Sequence, residues 1–147
     1  MIFNTIWADV YYIFLLGCCG YAIFRGSCSE YIGVAIMIAG SLSTLIVGRL
    51  LGTSWTGVEV GIFAIDVAAL VALTGLALTS DRYWPIWAAG FHLLAVAIHS
   101  AMIMAPQITP WAFATGAAFW AYPMLLALAT GSCEHVTAKP DIGIDTR

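Results

Sequence analysis

The strongest constraint on this chain is a succession of apolar runs, each close to bilayer length, separated by breaks of only four to six residues. The runs are Trp7–Phe24, Tyr31–Leu51, Val58–Thr79, Trp84–Met104 and Trp111–Ala129. A helix rises about 1.5 Å per residue, so roughly 20 residues cross the ~30 Å hydrocarbon layer. Short connections make neighbouring helices antiparallel. The pattern therefore predicts an all-α, polytopic integral membrane bundle of about five up-and-down transmembrane helices over residues 1–130. The remainder, 131–147, is polar, contains Pro140 and lacks helical periodicity. It reads as a flexible cytoplasmic tail.

Composition agrees. Of the 147 residues, 62% are hydrophobic and 9% charged, against about 25% charged in an ordinary soluble domain. A net charge of −3 with no basic patch excludes nucleic acid as a partner. The first run lacks a basic n-region and a polar-flanked cleavage site, so it is expected to be a retained span. Lys and Arg set the orientation. With the N-terminus outside, Arg25, Arg82, Lys139 and Arg147 are cytoplasmic and only Arg49 is external. N-out, C-in is the expected topology, in a multi-pass protein of a bacterial inner membrane. Trp7, Tyr31, Trp55, Tyr83, Trp84, Trp87 and Trp111 lie near run ends, as interfacial anchors do.

Within the apolar runs the ionisable residues carry the functional signal. Glu59 and Asp66 are seven positions apart, as are His92 and His99. That spacing is nearly two helical turns and places each pair on one helix face. Charged groups at membrane depth face a bundle interior or a wet cavity. Counting along the runs gathers Asp9, Arg49, Glu59, Asp66 and His99 in the outer half, with His92 near the middle. Arg49 and Glu59, one short loop apart, are expected to pair. Asp66 lies between the two histidines in depth, so either imidazole could reach it. Such a cluster holds helices in register, or it titrates, since histidine changes charge near neutral pH.

Other features bear on packing. Gly33, Met37, Gly40, Thr44 and Gly48 form a stripe of mostly small residues, and Gly40, Thr44 and Gly48 in particular are expected to let another helix approach closely. Pro85 occupies a first helical turn, where a missing N–H costs little. Pro123 removes the hydrogen bond to the Phe119 carbonyl and predicts a bend.

Cofactor chemistry has weaker support. Cys18, Cys19, Met37, His92 and Met124 fall at similar depth, and thiolate, thioether and imidazole suit soft ions such as Cu(I). Adjacent cysteines in a first span give a two-residue likeness to mercury-uptake membrane proteins, too small to identify a family. Cysteine and methionine are also ordinary apolar fillers. His92 and His99 project from one helix about 10 Å apart and cannot both ligate one haem iron. No cofactor is expected. Cys28 and Cys133, in repeated Gly-Ser-Cys triplets at 26–28 and 131–133, flank cytoplasmic ends where thiols stay reduced. HExxH, GxSxG and phosphate-loop motifs are absent. The sequence thus reads as a non-enzymatic accessory or interaction subunit among membrane lipids, packing on other subunits or on itself. The alternatives are an oligomeric proton-linked transporter of a small solute, and a soft-metal or b-haem carrier.

Overall fold

The structure, a computed structural model, describes the backbone of residues 2–50, 60–104 and 110–137, and the surroundings of side chains chiefly within 9–47, 60–102 and 118–133. It is all-helical: α1 (Ile2–Arg25), α2 (Cys28–Leu50), α3 (Val60–Thr79), α4 (Trp84–Met104) and α5 (Pro110–Thr137), with no strand among the described residues. By length and composition α2, α3 and α4 can each cross a membrane. Each helix packs on its chain neighbours, α5 closes the ring against α1, and α2 also reaches α5. Ile13, Phe24, Val60, Leu78 and Trp87 point outward from the bundle, as residues facing lipid do.

The turn between α1 and α2 is two residues long, and its chemistry explains why. Gly26 N–H closes α1 on the Ala22 carbonyl at 2.8 Å. A Cβ at Gly26 would overlap that carbonyl and the Glu30 side chain. Ser27 then caps α2, and Glu30, three residues on, accepts from the Ser27 backbone N–H at 2.7 Å. This is the glutamate half of a capping box. It starts α2 three residues before the expected Tyr31 and brings Glu30 inside the helix. At the α3–α4 turn, Ser80 N–H continues to the Leu76 carbonyl at 2.9 Å, and Pro85 sits in the first turn of α4 as expected.

Two other expectations are corrected. α5 continues through Pro123 to Thr137, so 131–137 are helical rather than part of a tail; 138–147 lie outside the described residues. Trp84 is not an interfacial anchor but a core residue, 3% exposed.

Burial is distributed unevenly along the bundle. Leu15, Cys18, Cys19 and Ala22 of α1, Val34 and Met37 of α2, Leu73 and Leu76 of α3, Trp84 and Ala88 of α4, and Met124, Leu125 and Leu128 of α5 form one core. All belong to the half nearer the α1–α2 and α3–α4 turns, here called the turn end. In the opposite half, the loop end, the described residues are partly or fully exposed; Ala95, at mid-α4, marks the limit of the buried set.

Candidate functional site

Two polar clusters tie the helices together, one in each half. In the loop-end half, Asp66 joins α3 to α4. Its Oδ2 lies 3.2 Å from His99 Nε2, with the side chains 19% and 22% exposed. Its backbone carbonyl lies 3.0 Å from His92 Nε2. A carbonyl can only accept, so His92 carries its proton on Nε2 in this contact. One aspartate reaches both imidazoles because a helical carbonyl points along the chain direction while the Cα–Cβ bond tilts back toward the N-terminus. The two arms extend in opposite directions along α3. They meet histidines about 10 Å apart on the antiparallel α4.

The same half contains a hydroxyl contact between α1 and α2, Tyr11 Oη to Ser41 Oγ at 2.8 Å. Tyr11 belongs to an aromatic group shared by α1 and α5. Its ring meets Tyr122 edge-on at 6.2 Å and 88°, and Phe14 lies 5.6 Å from Tyr122 at 46°. Tyr12 packs edge-on against Tyr11 at 5.3 Å. The loop-end half thus holds a carboxylate–imidazole contact between α3 and α4 and a hydroxyl and aromatic contact among α1, α2 and α5.

The turn end is closed by a second cluster. Trp84 Nε1–H donates to Glu30 Oε1 at 2.8 Å, and Ser27 Oγ donates to Glu30 Oε2 at 2.5 Å. Arg82 Nη2 donates to the Gly131 carbonyl at 2.5 Å. Arg82 Nε lies 3.5 Å from Glu30 Oε1, an ion pair without a hydrogen bond of its own at that nitrogen. Glu30 is fully buried. The indole fits between α2 and α5 because Gly33 and Gly131 flank it; a Cβ at either position would overlap the Trp84 ring. A charge-assisted network therefore joins α2, the α3–α4 turn, α4 and α5.

The candidate residues named from sequence fall as follows. Asp66, His92 and His99 come together. Asp9 is exposed near the start of α1. The side chain of Arg49 and all of Glu59 lie outside the described residues, and with them their expected pair. On the α2 stripe the close approach is at Gly33, against Trp84, whereas the Cβ direction of Gly40 is open. Thr44 is half-buried, and Gly48 falls outside the residues whose surroundings are described. Cys18, Cys19, Met37 and Met124 are all buried in the turn-end core, while His92 is engaged with Asp66. Among the described residues no three His, Cys, Asp or Glu side chains are grouped to hold a metal ion. Glu30 and Arg82 escaped the sequence reading as site residues, although the Ser27-x-x-Glu30 spacing before an apolar run is a capping signal. The chain matches no family model, no curated protein and no solved structure.

Proposed function

We propose that this chain is a non-enzymatic, multi-pass protein of a bacterial inner membrane, N-out and C-in, whose Asp66–His99 pair is a proton site serving movement of a small solute. The carrying observation is that the pair sits within the apolar helices yet remains partly exposed, in the half of the bundle whose described residues are partly or fully exposed. Histidine side chains ordinarily change charge between pH 5 and 8, and a carboxylate beside one gives a shared proton two positions. Five short helices enclose little volume, so transport by this chain would use an oligomer.

The test compares purified wild type, Asp66→Asn and His99→Gln from pH 5 to 8 by thermal stability and tryptophan fluorescence. Trp120, half-buried and 6.2 Å from Phe91 of α4, reports rearrangement between α4 and α5. The expected result is a pH-dependent change in wild type that both substitutions remove. Identical profiles for all three proteins would rule out a proton site. They would favour a second reading, an accessory subunit in which the polar groups only fix helix register. That reading draws on the mutual satisfaction of Asp66, His92 and His99, and stoichiometric co-purification of other membrane subunits would support it.

A further inference from the structure

We infer that the groove between α4 and α5 at the turn end holds one anionic phospholipid, with a chain along the groove and the headgroup phosphate at Arg82. The inference stands apart from the proton-site reading and uses none of its residues. The groove follows from two facing stripes. On α5, Pro123, Ala127 and Gly131 recur every four residues and share one helix face. On α4, Trp84, Trp87 and Phe91 line the opposite wall. Short side chains against long rings leave a channel of about 330 Å³. That falls within the ~300–1,000 Å³ of sites for small molecules. Its lining is mostly apolar and opens outward, since Trp87 is 65% and Leu126 51% exposed. A ligand therefore reaches it from the bilayer.

Length and width select a lipid chain over a partner helix. From Pro123 to Gly131 α5 rises about 12 Å, against ~15 Å for one leaflet of a ~30 Å hydrocarbon layer. A helix with its side chains is about 10–12 Å across, so 12 Å of it fills roughly 1,000 Å³, far more than the groove. An extended acyl chain of that length has about ten carbons, which at ~30 Å³ per water-sized group is roughly 300 Å³. Charge selects the headgroup. Arg82 Nη2 donates to the Gly131 carbonyl at 2.5 Å, and Gly131 lines the groove, so the guanidinium stands at its turn-end limit. The Glu30 side chain is 0% exposed and that of Arg82 22%, so their ion pair presents its cation at the surface. Arginine carries five N–H donors in a fork that matches phosphate, and Gly131 takes one of them. Its exposed neighbour Asp81 makes no described contact with the groove residues. Tyr83, 76% exposed, lines the same end, at the level where aromatic side chains meet headgroups.

Native mass spectrometry of the purified full chain in detergent counts bound lipid directly. The probe is dioleoylphosphatidylglycerol, with dioleoylphosphatidylcholine as the zwitterionic control and glycerol phosphate as a headgroup without chains. Expected is one phosphatidylglycerol per chain at saturation and no binding of glycerol phosphate. Phosphatidylglycerol should bind about fivefold more tightly than phosphatidylcholine, the worth of one basic residue beside an anionic lipid. Thr130→Phe puts a ring into the groove from an exposed position whose hydroxyl bonds its own helix, and it should abolish the adduct. Trp87→Ala removes an exposed part of the wall and should weaken binding severalfold. Glu30→Leu/Arg82→Leu removes the cation without stranding its partner and should bind the two phospholipids alike. Absence of a saturable adduct overturns the inference, as does equal binding of the two phospholipids by wild type or any binding of glycerol phosphate. An unchanged adduct in folded Thr130→Phe or Trp87→Ala overturns it, and so does a retained preference in the folded double variant. A dimer that Thr130→Phe dissolves would assign the groove to a second copy of the chain, which also overturns it. If Thr130→Phe or the double variant does not fold, Trp87→Ala and the comparison of the two phospholipids decide.

Discussion

Trp84 is held by two glycines that admit its ring and by a buried carboxylate that takes its N–H. Between lipid-embedded helices the hydrophobic effect contributes little, so close packing and interhelical hydrogen bonds carry association. Gly33→Ala or Gly131→Ala drives a methyl group into the indole and should lower stability by about 1–3 kcal/mol, the cost of overpacking. Thermal unfolding in detergent measures this, and Trp84→Leu in the same background should recover part of the loss by making room. Glu30→Leu leaves Arg82 and the Trp84 N–H without their buried acceptor and should cost about 3–5 kcal/mol. The double change Glu30→Leu/Arg82→Leu should lose less than Glu30→Leu alone; an equal or larger loss would show that the ion pair contributes nothing. The contrast with Asp66, His92 and His99 explains what sequence can reveal at this scale. Those three stand out because they interrupt apolar runs at a helical spacing. Glu30 looked like part of a polar break, and its partner Trp84 is 54 residues away; no periodicity connects them.

At the level of the helix, α5 departs most from its sequence pattern. Thr130, Gly131, Ser132 and Cys133 end the apolar run and resemble the beginning of a tail. In the fold the missing side chain of Gly131 is what Trp84 requires, and the Thr130 and Ser132 hydroxyls are absorbed by the helix itself. Thr130 Oγ1 donates to the Ala127 carbonyl at 2.9 Å, and Ser132 Oγ to the Leu128 carbonyl at 3.0 Å. Gly131 also supplies the carbonyl for Arg82. Truncation after Ala129 should therefore cut folded yield and lower the melting temperature of what remains, whereas a truly disordered tail would be removed without effect. Size-exclusion profiles and thermal scans of the truncated chain distinguish these outcomes. Helix number and the cores of all five helices were legible because hydropathy over about 20 residues dominates local detail. The ends of α2 and α5 were not, because a capping box and a glycine seat act through side-chain geometry rather than mean hydropathy.

Across the whole molecule, the buried core lies in the turn-end half, while the described residues of the loop-end half are partly or fully exposed; in a membrane the two ends would face different compartments. The basic residues favour the turn end inside, since Arg25 and Arg82 both belong to it. Cys28 provides a direct probe: it is exposed at the first residue of α2, whereas Ser132 is fully buried and unsuited to labelling. In a variant retaining Cys28 alone, a membrane-impermeant maleimide should leave intact cells unlabelled and react once the membrane is opened. A cysteine placed at Ser54, beyond the other end of α2, should show the reverse. External labelling of Cys28 would invert the orientation and turn the loop end toward the cytoplasm. Labelling of both sites from one side would mean that α2 does not cross the bilayer. Tags on the two termini complete the test: an odd number of crossings puts them on opposite sides, as the five-span topology requires, and tags on the same side would exclude it.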